Sequence, residues 1–248
     1  MLRLRNSASA FASAVMAAIL FLSSVAPVSA DDPGKQGKHS WPAVAEPVNL
    51  AILIQDDLVG NVSNEMKITR DFIKALPQGS QVMVGYITAG SLQVRQPFTT
   101  DLQKAGDSLR IVISSTSASP FNPYVEVLEA LRKFDSKNRN RNAVLLISDG
   151  LDTSRGFDSA SVLRSIDLDR AIKEANKRNV AIYSFFAPSV GLSRWNHLAA
   201  SYGQSSLNRI SDETGGKAIF EGSTGFVTFD PHFRRFAQAL NEREARGD

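Results

Sequence analysis

The sequence predicts an α/β fold: a doubly wound, mostly parallel sheet of order 3-2-1-4-5-6, with one antiparallel edge strand and helices on both faces. Three observations carry this. Two apolar runs, Val48–Gln55 and Asn142–Ser148, lack the polar alternation of a half-exposed strand and read as strands covered on both faces. Each run ends in acids, Asp56 and Asp57 after the first and Asp149 after the second, at the strand ends where open α/β sheets place ligands. Strand-like and helix-like segments alternate between and beyond them.

In chain order, Arg3 and Arg5 precede an apolar stretch from Phe11 to Leu22, then Val28-Ser29-Ala30. That is the build of a secretory signal over residues 1–30, too short to span a bilayer comfortably. An uncleaved anchor is the other reading. Residues 31–47, with Pro33, Gly34, Gly37, Pro42 and Pro47, read as a flexible linker, and 48–246 as the domain. After the first strand, Ser63 is an expected helix N-cap, with Met66, Ile68, Phe72, Ile73 and Leu76 at helical spacing before Pro77.

Gln81–Thr88 and Ser91–Phe98, joined by Ala89-Gly90, predict a hairpin whose later arm is the edge. Asp101–Ile111 is a helix candidate. Asn122-Pro123 opens another, with Val125, Leu128 and Leu131 on it. A long loop through Asp152, Arg155, Gly156 and Asp158 follows Asp149. A helix is expected from about Ser165 to Arg178, then a strand over Val180–Phe186. Ala187–Tyr202 reads as irregular or partly helical, Ser206–Glu213 as a helix stopped by Gly215-Gly216, Lys217–Phe220 as a last short strand and Asp230–Arg246 as a terminal helix. In the loop after Phe186, Phe185 and Phe186 are expected in the core with Trp195 folded back. The other reading makes Trp195 part of a partner-binding surface.

Composition excludes several functions. The chain has 248 residues and no cysteine, which removes thiol catalysis and cysteine-held metals. Its formal charge of +3 falls to +1 without residues 1–30, so no basic footprint for nucleic acid remains. His39, His197 and His232 show no zinc-binding spacing. No Gly-x-Ser-x-Gly, phosphate-binding or dinucleotide-binding glycine pattern occurs.

The Val48–Asp57 strand, Arg70-Asp71-Phe72, Leu-Ile-Ser-Asp149-Gly150, and the run Ile210–Phe220 with its Gly-Gly pair together resemble a von Willebrand factor A domain, in particular the bacterial exported VWFA-related subfamily, over roughly residues 46–245. The resemblance implies a metal-ion-dependent adhesion site at the C-terminal rim, built from Asp-x-Ser-x-Ser, a threonine and a later aspartate around Mg²⁺ or another divalent cation. Asp149 matches the last element. The first departs from the pattern. Starting at Asp56 puts Leu58 and Gly60 at the serine positions; starting at Gln55 puts Asp57 and Val59 there. For the threonine, counting back from Leu131 reaches Val125, with Asn122 or Thr116 as substitutes.

Three acids on one rim must be compensated. A cation held by Asp56, Asp57 and Asp149, with Asn122 or Asp152, is one solution. Arg155, Arg141 or helix N-terminal amides are another, and a degenerate, metal-free site follows from it. The expected function is an exported, non-catalytic adhesion-type domain that binds a protein partner through Asp56, Asp57, Asp149, Asp152, Arg155 and Trp195. The alternatives are a periplasmic hydrolase with an acid-based site, or a purely structural envelope protein.

Overall fold

The computed structural model describes residues 41–135, 140–157, 165–220 and 227–246, all within the unit Lys38–Asp248. The sheet has six strands in the order β3-β2-β1-β4-β5-β6. They are β1 (Val48–Gln55), β2 (Gln81–Thr88), β3 (Ser91–Thr99), β4 (Arg141–Ser148), β5 (Val180–Phe186) and β6 (Ala218–Ile219). All neighbours are parallel except β2 and β3, which Ala89 and Gly90, both at positive φ, join as a hairpin. The residues of β1 are buried throughout. Leu50, Ile52 and Ile54 enter one core and Ala51 and Leu53 the other, which is why its sequence shows no alternation.

On the first face pack α1 (Asn61–Asn64), α2 (Met66–Lys74), α3 (Leu102–Asp107) and α8 (Asp230–Arg246). On the second pack α4 (Pro123–Leu131), α5 (Ile166–Lys177) and α7 (His197–Glu213). The short α6 (Leu192–Trp195) precedes α7. The first core is aromatic: Phe72 stacks on Phe233 at 4.4 Å between centroids, and Phe185 meets Phe233 edge-on. Trp41 joins that cluster against Phe72 and Phe233, and Asn241 bonds the backbone of Ala43 and Ala45. Residues 41–47, expected as the end of a linker, are thus strapped to the domain. The signal segment and the rest of the linker lie outside the described residues, as does Asp158.

Several elements differ from their sequence expectation for local reasons. Ser63 is no N-cap: Gly60 precedes α1, and the Ser63 hydroxyl instead accepts the Val112 N–H. Helix α3 stops at Asp107 rather than Ile111, capped at its start by the Asp101 side chain. Residues 109–114 then run back along the rim. Asn122 caps α4 and Pro123 sets its phase, so Tyr124, Val127, Ala130 and Leu131 face inward while Val125 is exposed. Helix α7 begins nine residues before its expected start, because Asn196 caps it and Ala199, Ala200, Gly203, Leu207 and Ile210 form one buried stripe. Gly203 is required there: a Cβ would lie 1.9 Å from the Asp149 carbonyl oxygen. A Cβ on Gly150, whose φ is +70°, would in turn lie 2.5 Å from the Gly203 carbonyl oxygen.

Candidate functional site

Strands β1 and β4 lie side by side with Ile54 opposite Ile147, so the acids that follow them reach the same rim. They do not act together. Gln55 and Asp57 turn toward β4 and Asp149, whereas Asp56 turns the other way, continuing the two-residue alternation of the strand. The loop after β1 then crosses above β4: Val59 N–H donates to Pro188 O and Val190 N–H to Asp57 O. This crossing holds Asp57 over Asp149.

Gln55 is the hub. Its Oε1 accepts from the Ser148 hydroxyl and from Asp149 N–H, at 3.3 Å for the latter. Its Nε2 donates to Asp57 Oδ1 at 2.7 Å and to Asp149 Oδ1 at 3.1 Å. The two donors at Oε1 fix the amide's orientation, since only an oxygen can accept them. Asp149 also accepts from Leu151 N–H and from the Ser193 hydroxyl, which Ser189 N–H holds at 2.8 Å. Tyr124 Oη bonds Gly150 O from below. Burial raises the Asp57 pKa to about 6, the Asp149 charge adds to the rise, and the hydrogen bonds from Gln55 and Ser119 oppose it. Burial likewise raises Asp149, against hydrogen bonds from Ser189, Leu151, Gln55 and Ser193.

Asp56 is fully buried and compensated separately. Arg110 grips it with both terminal nitrogens at 2.8 and 2.6 Å, and Ile113 N–H adds a third donor. The guanidinium lies 3.9 Å from the centroid of the Tyr86 ring, and Tyr86 Oη bonds both N–H and C=O of Arg110. The compensating cation is therefore Arg110, not Arg155 or Arg141. Arg155 is exposed, and Arg141 donates to Leu240 O far along the strand. No motif marks Arg110; a helix through Ile111 hides it.

The remaining candidates do not converge on the acids. Asn122 caps α4 and bonds Asp167, and Asp152 accepts from the Ser154 and Ser165 hydroxyls. Thr116 does line a cavity shared with Asp57 and Asp149, together with Ser119. Trp195, expected to fold back, is 76% exposed, with the Arg194 guanidinium 4.6 Å from its ring centroid. Phe185 and Phe186 are buried as expected. His197 is an exposed first residue of α7, and His232 is buried beside Phe185.

The residues present do not fit the divalent cation that the sequence resemblance implies. An octahedral Mg²⁺ needs oxygens converging on one point. Here Gln55 stands in place of the leading acid, and its amide nitrogen, a donor, is directed at the two carboxylates. Asp56 is turned away toward Arg110. Among the described residues no cluster of three or more acids or histidines is arranged to hold a metal. What the arrangement does form is a cavity of about 270 Å³ with Asp57 and Asp149 at its floor and Leu151, Phe157, Pro120, Phe121 and Leu192 among its walls.

A six-stranded doubly wound sheet with a crevice above the β1/β4 junction defines a class of α/β modules that present a site at the C-terminal strand ends. Within that class the fold is von Willebrand factor A-like. BatB, a conserved hypothetical protein from Bacteroides thetaiotaomicron, superposes with a TM-score of 0.54 at 12% identity, over 81% of this chain and all of that one. An aerotolerance-related membrane protein from Bacteroides fragilis gives 0.54 at 13% identity, over 80% of this chain and all of that one. A von Willebrand factor type A protein from Catenulispora acidiphila gives 0.50 at 17% identity, over 78% of this chain and 42% of that one. No protein-family model matches the sequence, and no curated protein matches it.

Proposed function

We propose that this chain is an exported, non-catalytic interaction domain that binds a protein partner at the C-terminal rim of its sheet without a bridging metal ion. One observation carries the reading: large apolar side chains are exposed around the cavity mouth and the adjoining loops, namely Ile111, Ile113, Phe121, Leu192, Trp195 and Leu198. Large exposed apolar side chains gathered on the segments around one cavity mark an interaction site, and tryptophan beside arginine is the composition of an interface hot spot. The Gln55 amide between the carboxylates supports metal independence. The absence of catalysis is supported by Ser189 at the cavity, whose hydroxyl pairs with that of Ser193, which bonds Asp149, rather than with a general-base histidine. Export rests on the signal-like residues 1–30.

The test is site-specific photo-crosslinking in the native host, with a benzophenone side chain at Phe121 or Trp195 and, as control, at Lys217, which precedes β6 and lies with Asn179 and Tyr183 away from the C-terminal rim. A discrete adduct from the rim positions alone, unchanged by EDTA, is the expected result. Equal adducts from Lys217, or none from the rim, overturn the reading.

A further inference from the structure

The two acids that follow β1 are both buried, yet among the described residues only one has a counter-charge. Asp56 has Arg110. Asp57 is 2% exposed and, among the described residues, has no cation within ion-pair distance. Its charged neighbour is Asp149, of like sign. Of the described basic residues on the flanking segments, Arg110 is on Asp56, Arg194 lies over the Trp195 ring, and Arg155 is exposed and forms no ion pair with Asp57. Burying a carboxylate with hydrogen-bond donors but no counter-charge is costly, and a fold that does so beside an open cavity leaves a negative field directed into that cavity.

The cavity is shaped to use that field. Asp57 and Asp149 line its floor with the hydroxyl-bearing Ser119 and Thr116, while Phe121 and Leu192 flank the mouth. A polar floor rich in acceptors beneath apolar walls matches one common kind of side chain, a long aliphatic stem with a cationic head. We propose that the cavity between Phe121 and Leu192 receives a lysine or arginine side chain of the protein partner, with its head on Asp57 and its stem between the apolar walls. The proposal rests on the rim being the binding face and adds the chemistry of what is bound there. The polarity is opposite to that of a metal site that takes up a partner's carboxylate: here the partner brings the positive charge and Asp57 supplies the negative one.

The experiment titrates the isotopically labelled protein with three capped tripeptides, acetyl-Leu-X-Leu-amide, where X is lysine, its neutral isostere norleucine, or glutamate. Binding is read from the amide resonances of Gly150, Leu151 and Ser189. Because a head-group ion pair at a desolvated acid is lost in the isostere, the lysine peptide is expected to bind about tenfold more tightly than the norleucine peptide. Asp57→Asn, which keeps the shape and the Gln55 contact, is expected to bring the two to about the same affinity while the folded spectrum persists. Equal binding of lysine and norleucine peptides to the unaltered protein overturns the proposal and leaves the rim as an apolar docking face. Tighter binding of the glutamate peptide, with Mg²⁺ present, overturns both the proposal and the metal-independent reading. No perturbation by any peptide overturns the proposal alone, because crosslinking at Phe121 and Trp195 reads the rim independently.

Discussion

Asp57→Asn also tests the energetics of the site. The substitution removes one buried charge and preserves its hydrogen bond, because an asparagine Oδ1 still accepts from Gln55 Nε2. In the folded protein the Asp57 pKa is raised from 3.8 to about 6. As pH rises, the unfolded chain therefore gives up this proton first, and the folded state binds more protons through the window between the two values. Stability attributable to Asp57 falls across about pH 4 to 6 and is flat above it, with a total fall of about 3 kcal/mol. The variant lacks this loss. At about pH 7.5 it is expected to be more stable than the unaltered protein by about 1–3 kcal/mol, and near pH 3.5 the two are expected to agree within about 0.5 kcal/mol. Urea denaturation at a series of pH values, with the slope held common, measures the difference. Glu126, raised to about 7 by burial, slopes in the same direction in both proteins and cancels in the difference; Asp149 repels Asp57 and loses that repulsion in the variant, so the difference reads the pair. A flat difference between pH 4 and 7, or a variant less stable at neutral pH, would show that Asp57 is compensated and refute the reasoning.

Three further outcomes follow from the same geometry. Arg110→Ala leaves Asp56 buried without its partner and is expected to cost about 3 kcal/mol in thermal denaturation, with Arg110→Lys recovering only part because lysine cannot span both carboxylate oxygens. Gly203→Ala pushes a methyl group into the Asp149 carbonyl and is expected to cost about 3 kcal/mol or more, with the Gly150 and Leu151 amide resonances displaced. Trp195→Ser is expected to leave the denaturation midpoint within about 0.5 kcal/mol of the original while abolishing the crosslink formed from Phe121, since the side chain is mostly exposed and supports nothing beneath it.

The frame was legible in the sequence because it depends on burial periodicity, which is local. Largely apolar runs at Val48–Gln55, Asn142–Ser148 and Val180–Phe186 read as strands covered twice, and the short Ala89-Gly90 link argues for a hairpin. The expected strand order agrees with the observed one, and the adjacency of β1 and β4, which the runs alone do not dictate, brings Asp57 and Asp149 to one rim. Element ends were less legible where a cap or a close contact decided them. Gly203 argues against a helix by propensity and was placed in one by its backbone contact with Asp149.

The site itself was only half written in the chain. Sequence supplied three acids and two possible registers for the first motif, and it had no means of choosing between them. The choice is made by which way each side chain leaves the strand end: Gln55 and Asp57 toward Asp149, Asp56 toward an arginine fifty-four positions later whose own path depends on where α3 stops. Side-chain pairing across such separations is decided by packing of whole elements, not by the residues near each partner. The amino acids thus fixed which charges come to the rim. Only the tertiary arrangement determined that one of them is neutralised from within and another is left facing the cavity.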